Sequence, residues 1–165
     1  MLNYDKFPNH RWNKLQKRLK EIIAPELNIS FNNSPVVKKT DYSEIALRFF
    51  HIKLNREVIW RFPNDSEQPN WRFLYGHCGF QTAESYEYPI HSITKYLDLP
   101  KEQLLDYEDK AGLADILKVC DKRIGYNRLK ELELSPAAKK IFDVRFKDKN
   151  KSEKQCNNTN YQLEN

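Results

Sequence analysis

The stretch EIALRFFHIKLNREVIWRF (44–62) decides which fold class the sequence predicts. Its first part alternates between two faces, with Ile45, Leu47 and Phe49 on one and Ala46, Phe50, Ile52 and Leu54 on the other. Apolar residues on both faces are typical of a central strand. Asn55-Arg56 reads as a tight turn, and EVIWRF (57–62) then alternates Val58, Trp60 and Phe62 on one face. The stretch therefore predicts an antiparallel hairpin with its first strand in the middle of a sheet.

The segments around this hairpin extend the prediction. Before it, Asn9 caps a helix over about 10–24, whose apolar face comprises Trp12, Leu15, Leu19, Ile22 and Ile23. LNISF (27–31) predicts a short strand, and a polar loop with Asn32, Asn33 and Pro35 follows. After the hairpin, a loop over 63–70 leads to a further antiparallel strand, WRFLY (71–75).

After Gly79 the apolar period becomes helical. Prolines near the first turn predict short helices over 89–97 and 100–107. The clearest helix covers 110–124, where Leu113, Ile116, Leu117, Cys120 and Ile124 form one stripe. Further helices are predicted over 126–134 and from Ser135-Pro136 to about 146. The sequence thus predicts an α+β fold with an N-terminal helix, an antiparallel sheet of three to four strands and a helical C-terminal half. Residues 1–146 form one domain, and the polar segment 147–165 is a flexible tail.

Composition excludes several classes of protein. The chain has 165 residues, 39% hydrophobic and 13% aromatic, which is too aromatic for a disordered chain. No run approaches the roughly 18 apolar residues of a membrane-spanning helix, and the N-terminus has no apolar stretch typical of a signal peptide. Three cysteines without paired spacing fit a reducing compartment. We therefore expect a cytoplasmic protein that has no membrane partner.

No constellation of residues in the sequence predicts catalysis. The four glycines form no phosphate-binding loop. His77 and Cys78 are adjacent, so their side chains point in different directions, which disfavours a catalytic pair. Zinc-ligand spacing is absent, since Cys120 lies on a helix stripe and Cys156 in the tail. We expect no enzymatic activity, no cofactor and no metal.

The charged turn DKRIG (121–125) has two interpretations. As a joint between helices, Gly125 supplies a left-handed C-cap and Lys122 lies in the last helical turn, pointing away from the apolar stripe. Asp121 would pair with Lys118 or, across the turn, with Arg128. The alternative is a recognition surface, including a DNA-binding helix-turn-helix. In that reading Asn127, Arg128 and Lys130 face the groove, although Glu131 and Glu133 oppose the approach of phosphates.

Charge and aromatic residues point to a binding surface. Residues 1–25 contain six Lys/Arg against Asp5 and Glu21, so +4 of the net +5 lies in and before the first helix. The 63–70 loop and the Tyr86/Tyr88 pair are expected to be more exposed than the aromatics that build the core. Exposed aromatics among mixed charges are typical of protein-binding patches. The predicted partner-binding residues are Lys14, Lys17, Arg18, Trp71, Tyr86, Tyr88, Lys122 and Arg128.

Several stretches outside the sheet resemble motifs of a family of small uncharacterised bacterial proteins. The family begins W-[SN]-K-x-[KQ]-K-x-L-E, which Trp12, Lys14, Lys17, Leu19 and Glu21 loosely match. Its helix-turn motif L-D-R-R-[VI]-G-x-x-x-L is matched by Val119, Asp121, Lys122, Arg123, Ile124, Gly125 and Leu129, with Lys122 for the first arginine. Its final F-x-x-R is matched by Phe142 and Arg145. Tyr96-Leu97 with Pro100-Lys101-Glu102 resembles Y-L-x-x-[SP]-I-E, while the sheet region shows little resemblance.

The resemblance implies a function that composition alone does not. Members of this family occur among the immunity genes of polymorphic-toxin and contact-dependent inhibition systems. By resemblance, the chain is expected to be an immunity protein whose partner is a cognate toxin domain. The alternative expectation is a small nucleic-acid-binding protein that uses its basic first helix.

Overall fold

A computed structural model describes residues 9–39, 44–62, 79–109 and 112–150, and it has the α+β fold that the sequence predicts. Helix α1 covers Asn9–Ile22, and strands β1, β2 and β3 cover Ile29–Lys39, Glu44–Leu54 and Glu57–Phe62. Helix α2 covers Gly79–Asp98, and a 3-10 turn covers Lys101–Gln103. Helices α3, α4 and α5 cover Leu113–Cys120, Tyr126–Leu129 and Pro136–Arg145, followed by helical backbone over 147–150.

The three described strands form one antiparallel sheet in the order β1-β2-β3, so β2 is central as predicted. The β2–β3 turn is also where the sequence places it. Asn55 and Arg56 both have positive φ, at 50° and 74°. Two successive residues of positive φ are typical of the type I′ turn, whose twist matches that of the flanking strands.

Strand β1 is much longer than the predicted 27–31, and the prediction of a polar loop at Asn32–Pro35 was wrong. These residues pair with β2, from Asn32 opposite His51 to Pro35 opposite Arg48. Because β1 has no second neighbour in the described sheet, Pro35 need not supply an N–H group on its free side. Pairing with a long central strand therefore outweighs the loop preference of asparagine and proline.

The core lies between one sheet face and the helices. On α1, Trp12, Leu15 and Leu19 are buried as predicted, and the Trp12 ring meets Phe50 of β2 edge-on at 5.2 Å between centroids. The α3 stripe is also confirmed: Leu113, Ile116, Leu117 and Cys120 are buried, and so is Ile124 after the helix. Burying side chains of this size stabilises the fold by about 1.5–3 kcal/mol each.

The C-terminal helix limits differ from the predictions. Helix α2 begins ten residues before Pro89, which lies inside the helix. An interior proline removes one backbone hydrogen bond and its ring clashes with the carbonyl four residues earlier, at a cost of about 3 kcal/mol, so the remaining turns and the packing of α2 have to offset this cost. The predicted 100–107 helix reduces to the 3-10 turn, and α3 is shorter at both ends than 110–124. Gly112, at φ 72°, directly precedes α3.

Two predicted segments, a strand and the C-terminal tail, lie wholly or partly outside the described residues. The predicted strand 71–75 and residues 151–165 lie outside the described residues. Helical backbone continues through Asn150, four residues into the segment predicted as a tail. There Asn150 Oδ1 accepts a 3.2 Å hydrogen bond from the Tyr126 hydroxyl.

Candidate functional site

The turn 121–125 lies against the end of the first helix. The Lys122 N–H donates to the Ile22 carbonyl at 2.7 Å, and the Ala24 N–H donates to the Cys120 carbonyl at 2.7 Å. Ile23 and Asp121 form an isolated antiparallel bridge. Asp121 adopts extended backbone, with φ −74° and ψ 114°, to make this bridge. Helix α3 therefore ends at Cys120 instead of continuing to Ile124.

The Asp121 carboxylate is the centre of the turn. It has no exposed surface. Arg123 donates to it from its backbone N–H at 2.9 Å, from Nε at 2.9 and 3.0 Å, and from Nη2 at 2.6 Å. The Tyr96 hydroxyl of α2 donates to Oδ2 at 2.9 Å. Both carboxylate oxygens are thus fully bonded, as a buried charge requires.

Arg145, the last residue of α5, bonds to the other side of the same turn. Its Nη1 donates to the carbonyls of Val119 and Asp121 at 2.7 and 3.0 Å, and its Nη2 donates to the Ile124 carbonyl at 3.1 Å. Its Nε lies 3.3 Å from Glu26 Oε1. Carbonyls at a helix end have no partner within the helix. The fork of donors on one guanidinium supplies partners for several of them.

The structure corrects two expectations about this turn. Asp121 pairs with Arg123 and not with Lys118 or Arg128, because the extended backbone at Asp121 places the two side chains side by side. Lys118 instead lies 3.9 Å from Asp115. Gly125 is not a left-handed C-cap: its φ is −87° and it is the N-cap of α4. With α3 ending at Cys120, Gly125 begins the next helix and does not end the previous one.

The electrostatics of the cluster favour a structural role. Burial, followed by the neighbouring Asp121 charge, raises the pKa of Tyr96 above its ordinary value. The hydrogen bonds to Asp121 raise the pKa of Arg123. Tyr96 therefore keeps its proton and Arg123 its charge at every ordinary pH. Burial likewise raises the pKa of the Cys120 thiol, which disfavours the reactive thiolate. The turn is the joint that the first interpretation predicts.

The predicted binding residues lie in several places. Lys14 and Lys17 are exposed on α1, and Lys122 and Arg128 are exposed on the joint and on α4. Arg18 is not free, because its Nη2 makes a 2.6 Å ion pair with Asp98 at the end of α2. Tyr86 and Tyr88 lie within α2, and Trp71 lies outside the described residues. The structure thus brings Lys14, Lys17 and Arg18 onto one helix and places Lys122 beside its C-terminal end.

The described cations divide into two groups. Those that hold elements together have acidic partners, as in Arg18–Asp98, Arg123–Asp121 and Lys140–Glu57. Lys14, Lys17 and Lys20, which recur every three residues on α1, are exposed and have no ion pair with any residue of the described ranges. Like charges at this spacing repel each other weakly. The charges of these three lysines are therefore exposed to solvent and not engaged by an acidic side chain of the described ranges.

The sequence analysis sought charge partners for Asp121 close to it in the chain and so did not identify Tyr96 and Arg145, which both bond to the joint. Arg145 is 24 residues from Asp121 and Tyr96 is 25 residues from it. Both positions belong to the stretches that carry the family resemblance, which was the available signal. A lone arginine at a helix end otherwise reads as a favourable charge for the helix dipole.

Two other features are absent from the described ranges. No group of three or more His, Cys, Asp or Glu side chains is placed to hold a metal ion there. No helix in this part of the chain combines the length and hydropathy needed to cross a membrane. Comparison with protein-family models, with curated proteins and with solved structures gave no match.

Proposed function

We propose that this chain is a non-enzymatic cytoplasmic immunity protein that binds and neutralises a cognate bacterial toxin domain. The resemblance in the helix-turn motif suggests the class. One structural observation carries the proposal: Lys14, Lys17 and Lys20 outnumber the exposed Glu21 on the solvent face of α1, while Trp12, Leu15 and Leu19 fix the helix to the core. A rigid, exposed set of charges can bind a partner without first ordering its own backbone.

The sign of the charge specifies the kind of partner surface. Interfaces pair surfaces of opposite potential, which speeds association and excludes wrong partners. An inhibitor that mimics nucleic acid would be acidic, whereas this chain carries a net charge of +5. The proposed contact is therefore an acidic surface of the toxin, either around its active site or away from it.

The test begins with capture from lysate of the source cells after nuclease treatment. The bait is compared with Lys14→Glu/Lys17→Glu and with the control Lys101→Glu/Lys147→Glu, which changes two other exposed lysines. Each double substitution changes the net charge by four, from +5 to +1. We expect one near-stoichiometric protein on the wild type and the control, and much less on the helix variant. Co-expression of that protein with the wild-type chain should restore growth that the protein alone inhibits.

Two results would contradict the proposal. The first is a captured protein that binds both double variants equally, since α1 would then not be the contact. The second is a captured protein whose expression does not inhibit growth.

The same three lysines favour one second candidate, a nucleic-acid-binding protein that uses α1. Lysines that contact phosphates release counterions, so affinity falls steeply with salt. Bound material that leaves the bait on nuclease treatment or at moderate salt would favour this candidate over the immunity protein.

A further inference from the structure

Lys122 of the joint lies next to the last residue of α1. The Lys122 N–H donates to the Ile22 carbonyl at 2.7 Å, on one side of the antiparallel bridge between Ile23 and Asp121. Directly opposite residues in such a pair project to the same side, and successive residues project to opposite sides. Asp121 and Ile23 therefore share one side, and Lys122 and Ile22 share the other. Burial agrees with this, because Asp121 is buried and Lys122 is exposed.

This position extends a row of side chains along α1. Lys14, Arg18 and Ile22 are four residues apart, and residues at this spacing are neighbours on a helix surface, with Cβ atoms about 5–6 Å apart. The row begins at Lys14 and ends at Ile22, beside Lys122, and Lys17 adjoins it three residues after Lys14. One surface thus runs from the helix onto the joint. We call it the α1–joint surface, defined by Lys14, Lys17, Arg18, Ile22 and Lys122.

The α1–joint surface has an excess of positive charge. Its four cations adjoin two acidic side chains, Glu21 and Asp98, of which Glu21 is exposed on the same helix. Asp98 pairs with Arg18, and water reaches both side chains, which are 61% and 44% exposed. The other three cations have no ion pair with any residue of the described ranges. The surface is therefore complementary to one that carries carboxylates.

We propose that the α1–joint surface is a single docking site for an acidic protein surface. The inference rests on the proposed function and adds Ile22 and Lys122 to its contact. Charge complementarity assigns carboxylates to the partner. The acidic Glu21 and Asp98 oppose phosphates but can pair with bases of a protein, and Ile22 offers the aliphatic contact that protein interfaces contain beside their charges. These three residues favour a protein over a nucleic acid.

Lys122 also has a structural alternative, which the test must separate from binding. Helix α1 ends at Ile22 and helix α3 ends at Cys120, so Lys122 lies at the C-terminal end of both. A cation at a helix C-terminus interacts favourably with the helix dipole. If this were its role, loss of the charge would lower the melting temperature and leave binding unchanged. Melting and binding are therefore measured on the same variants.

The test is an NMR titration of the ¹⁵N-labelled full chain with deca-glutamate at low salt. Backbone amides of α1 and of Lys122 report binding separately, so a common Kd identifies one surface. The variants are Lys14→Gln, Lys122→Gln and the equally charged control Lys53→Gln. Lys53 lies between the buried Ile52 and Leu54 of β2, and its side chain therefore projects from the sheet face away from the core.

We expect the amides of Lys14 and Lys122 to titrate with one Kd. Lys14→Gln and Lys122→Gln should each raise that Kd about two- to fivefold at both amides, with the Tm within about 2 °C of wild type. Lys53→Gln should change the Kd by less than about 1.5-fold.

Three results would overturn the proposal. The first is the absence of saturable binding, and the second is a Lys122 amide that does not respond or that keeps its Kd in Lys14→Gln. The third is a Lys122→Gln variant whose Tm falls while its Kd is unchanged. Tighter binding of an oligouridine of equal charge would overturn the assignment to a protein partner. Failure of the proposed function shows separately, as capture of no growth-inhibiting protein.

Discussion

At the scale of single residues, two ion pairs of equal length have different consequences. The Arg123–Asp121 and Arg18–Asp98 pairs are both 2.6 Å between nitrogen and oxygen. The Asp121 side chain has no exposed surface, whereas that of Asp98 is 61% exposed. Water screens the second pair and cannot reach the first. Burial, not distance, therefore sets what each pair contributes to stability.

The matched substitutions Asp121→Asn and Asp98→Asn test this difference. Asp121→Asn leaves Arg123 facing a neutral amide and sets an N–H group against donors, so we expect it to lower the free energy of unfolding by about 3 kcal/mol. Asp98→Asn should lower it by less than about 1 kcal/mol. Urea unfolding of both variants beside the wild type provides the measurement. Equal losses in the two variants would contradict the claim that burial sets what each pair contributes.

A further residue-scale consequence concerns His51. Burial, followed by the charges of Lys53 and Arg61, lowers its pKa below the ordinary 6.5. The unfolded chain therefore takes up this proton at higher pH than the folded chain does. The associated stability is present above pH 6.5 and is lost as the pH falls through the lowered folded-state pKa. The same lowered pKa keeps the imidazole neutral at pH 7.

The pH dependence can be measured with His51→Gln, which cannot titrate. Wild-type melting temperature should fall between pH 7 and pH 5 by more than that of the variant, because the variant lacks this contribution. Differential scanning calorimetry in buffers of equal ionic strength gives the comparison. Parallel curves for the two proteins would count against a lowered His51 pKa.

At the scale of elements, the β2–β3 hairpin has a turn whose second residue is suboptimal. Arg56 has a φ of 74°, a conformation that glycine adopts without strain and an L side chain does not. Asparagine followed by glycine is the preferred type I′ pair, and Asn55 already supplies the first residue. The turn forms because the flanking strands and their buried residues fix its geometry.

Arg56→Gly should therefore stabilise the protein. We expect a gain of about 0.5–1 kcal/mol, equivalent to a rise in Tm of about 1–4 °C for a chain of this size. Arg56→Ala is the control, since it removes the same charge but keeps the strained Cβ. If both variants change the Tm equally, charge and not backbone conformation is responsible.

At the scale of the whole molecule, one turn joins the first helix to the last. The stretch Ile22–Ala24 after α1 bonds to 120–122, and Arg145 of α5 bonds to three carbonyls in 119–124. Asp121 adds α2 through Tyr96. Distant parts of the chain are thus fixed to one another at a point where polar groups, and not only apolar packing, determine the geometry.

Arg145→Lys tests the joint as a unit. An ammonium group cannot reproduce the guanidinium fork, so carbonyls lose partners and stability should fall by about 2–4 kcal/mol. The control is Lys140→Gln, a change on the same helix as Arg145 that breaks the exposed ion pair with Glu57 of β3. It should lower the free energy of unfolding by less than about 1 kcal/mol. Hydrogen exchange at the Ala24 and Lys122 amides should accelerate in Arg145→Lys only. Unchanged exchange there would mean that Arg145 does not hold α1 to the turn.

The sequence by itself determined the features that depend on local period and on burial. The stripes on α1 and α3, the central position of β2 and the turn at Asn55-Arg56 all follow from the spacing of apolar residues and from turn chemistry. It also indicated that Lys122 points away from the core and that basic residues concentrate on α1, since a charge away from an apolar stripe remains in water. These features concern neighbours in the chain, whose geometry the backbone fixes.

Only the tertiary structure decided where α3 ends, how long β1 is and which charges meet. Helix α3 stops at Cys120 because Asp121 bridges to Ile23, about 100 residues earlier in the chain. Strand β1 extends through asparagines and a proline because β2 lies beside it. Asp121 bonds to Arg123 and Tyr96, and not to Lys118 or Arg128, because folding places these two donors within reach of its carboxylate. Both oxygens need such donors because a buried carboxylate without hydrogen bonds is costly. Strand register likewise brings together residues from three separate segments, as where Asn32, His51 and Arg61 pair across β1, β2 and β3.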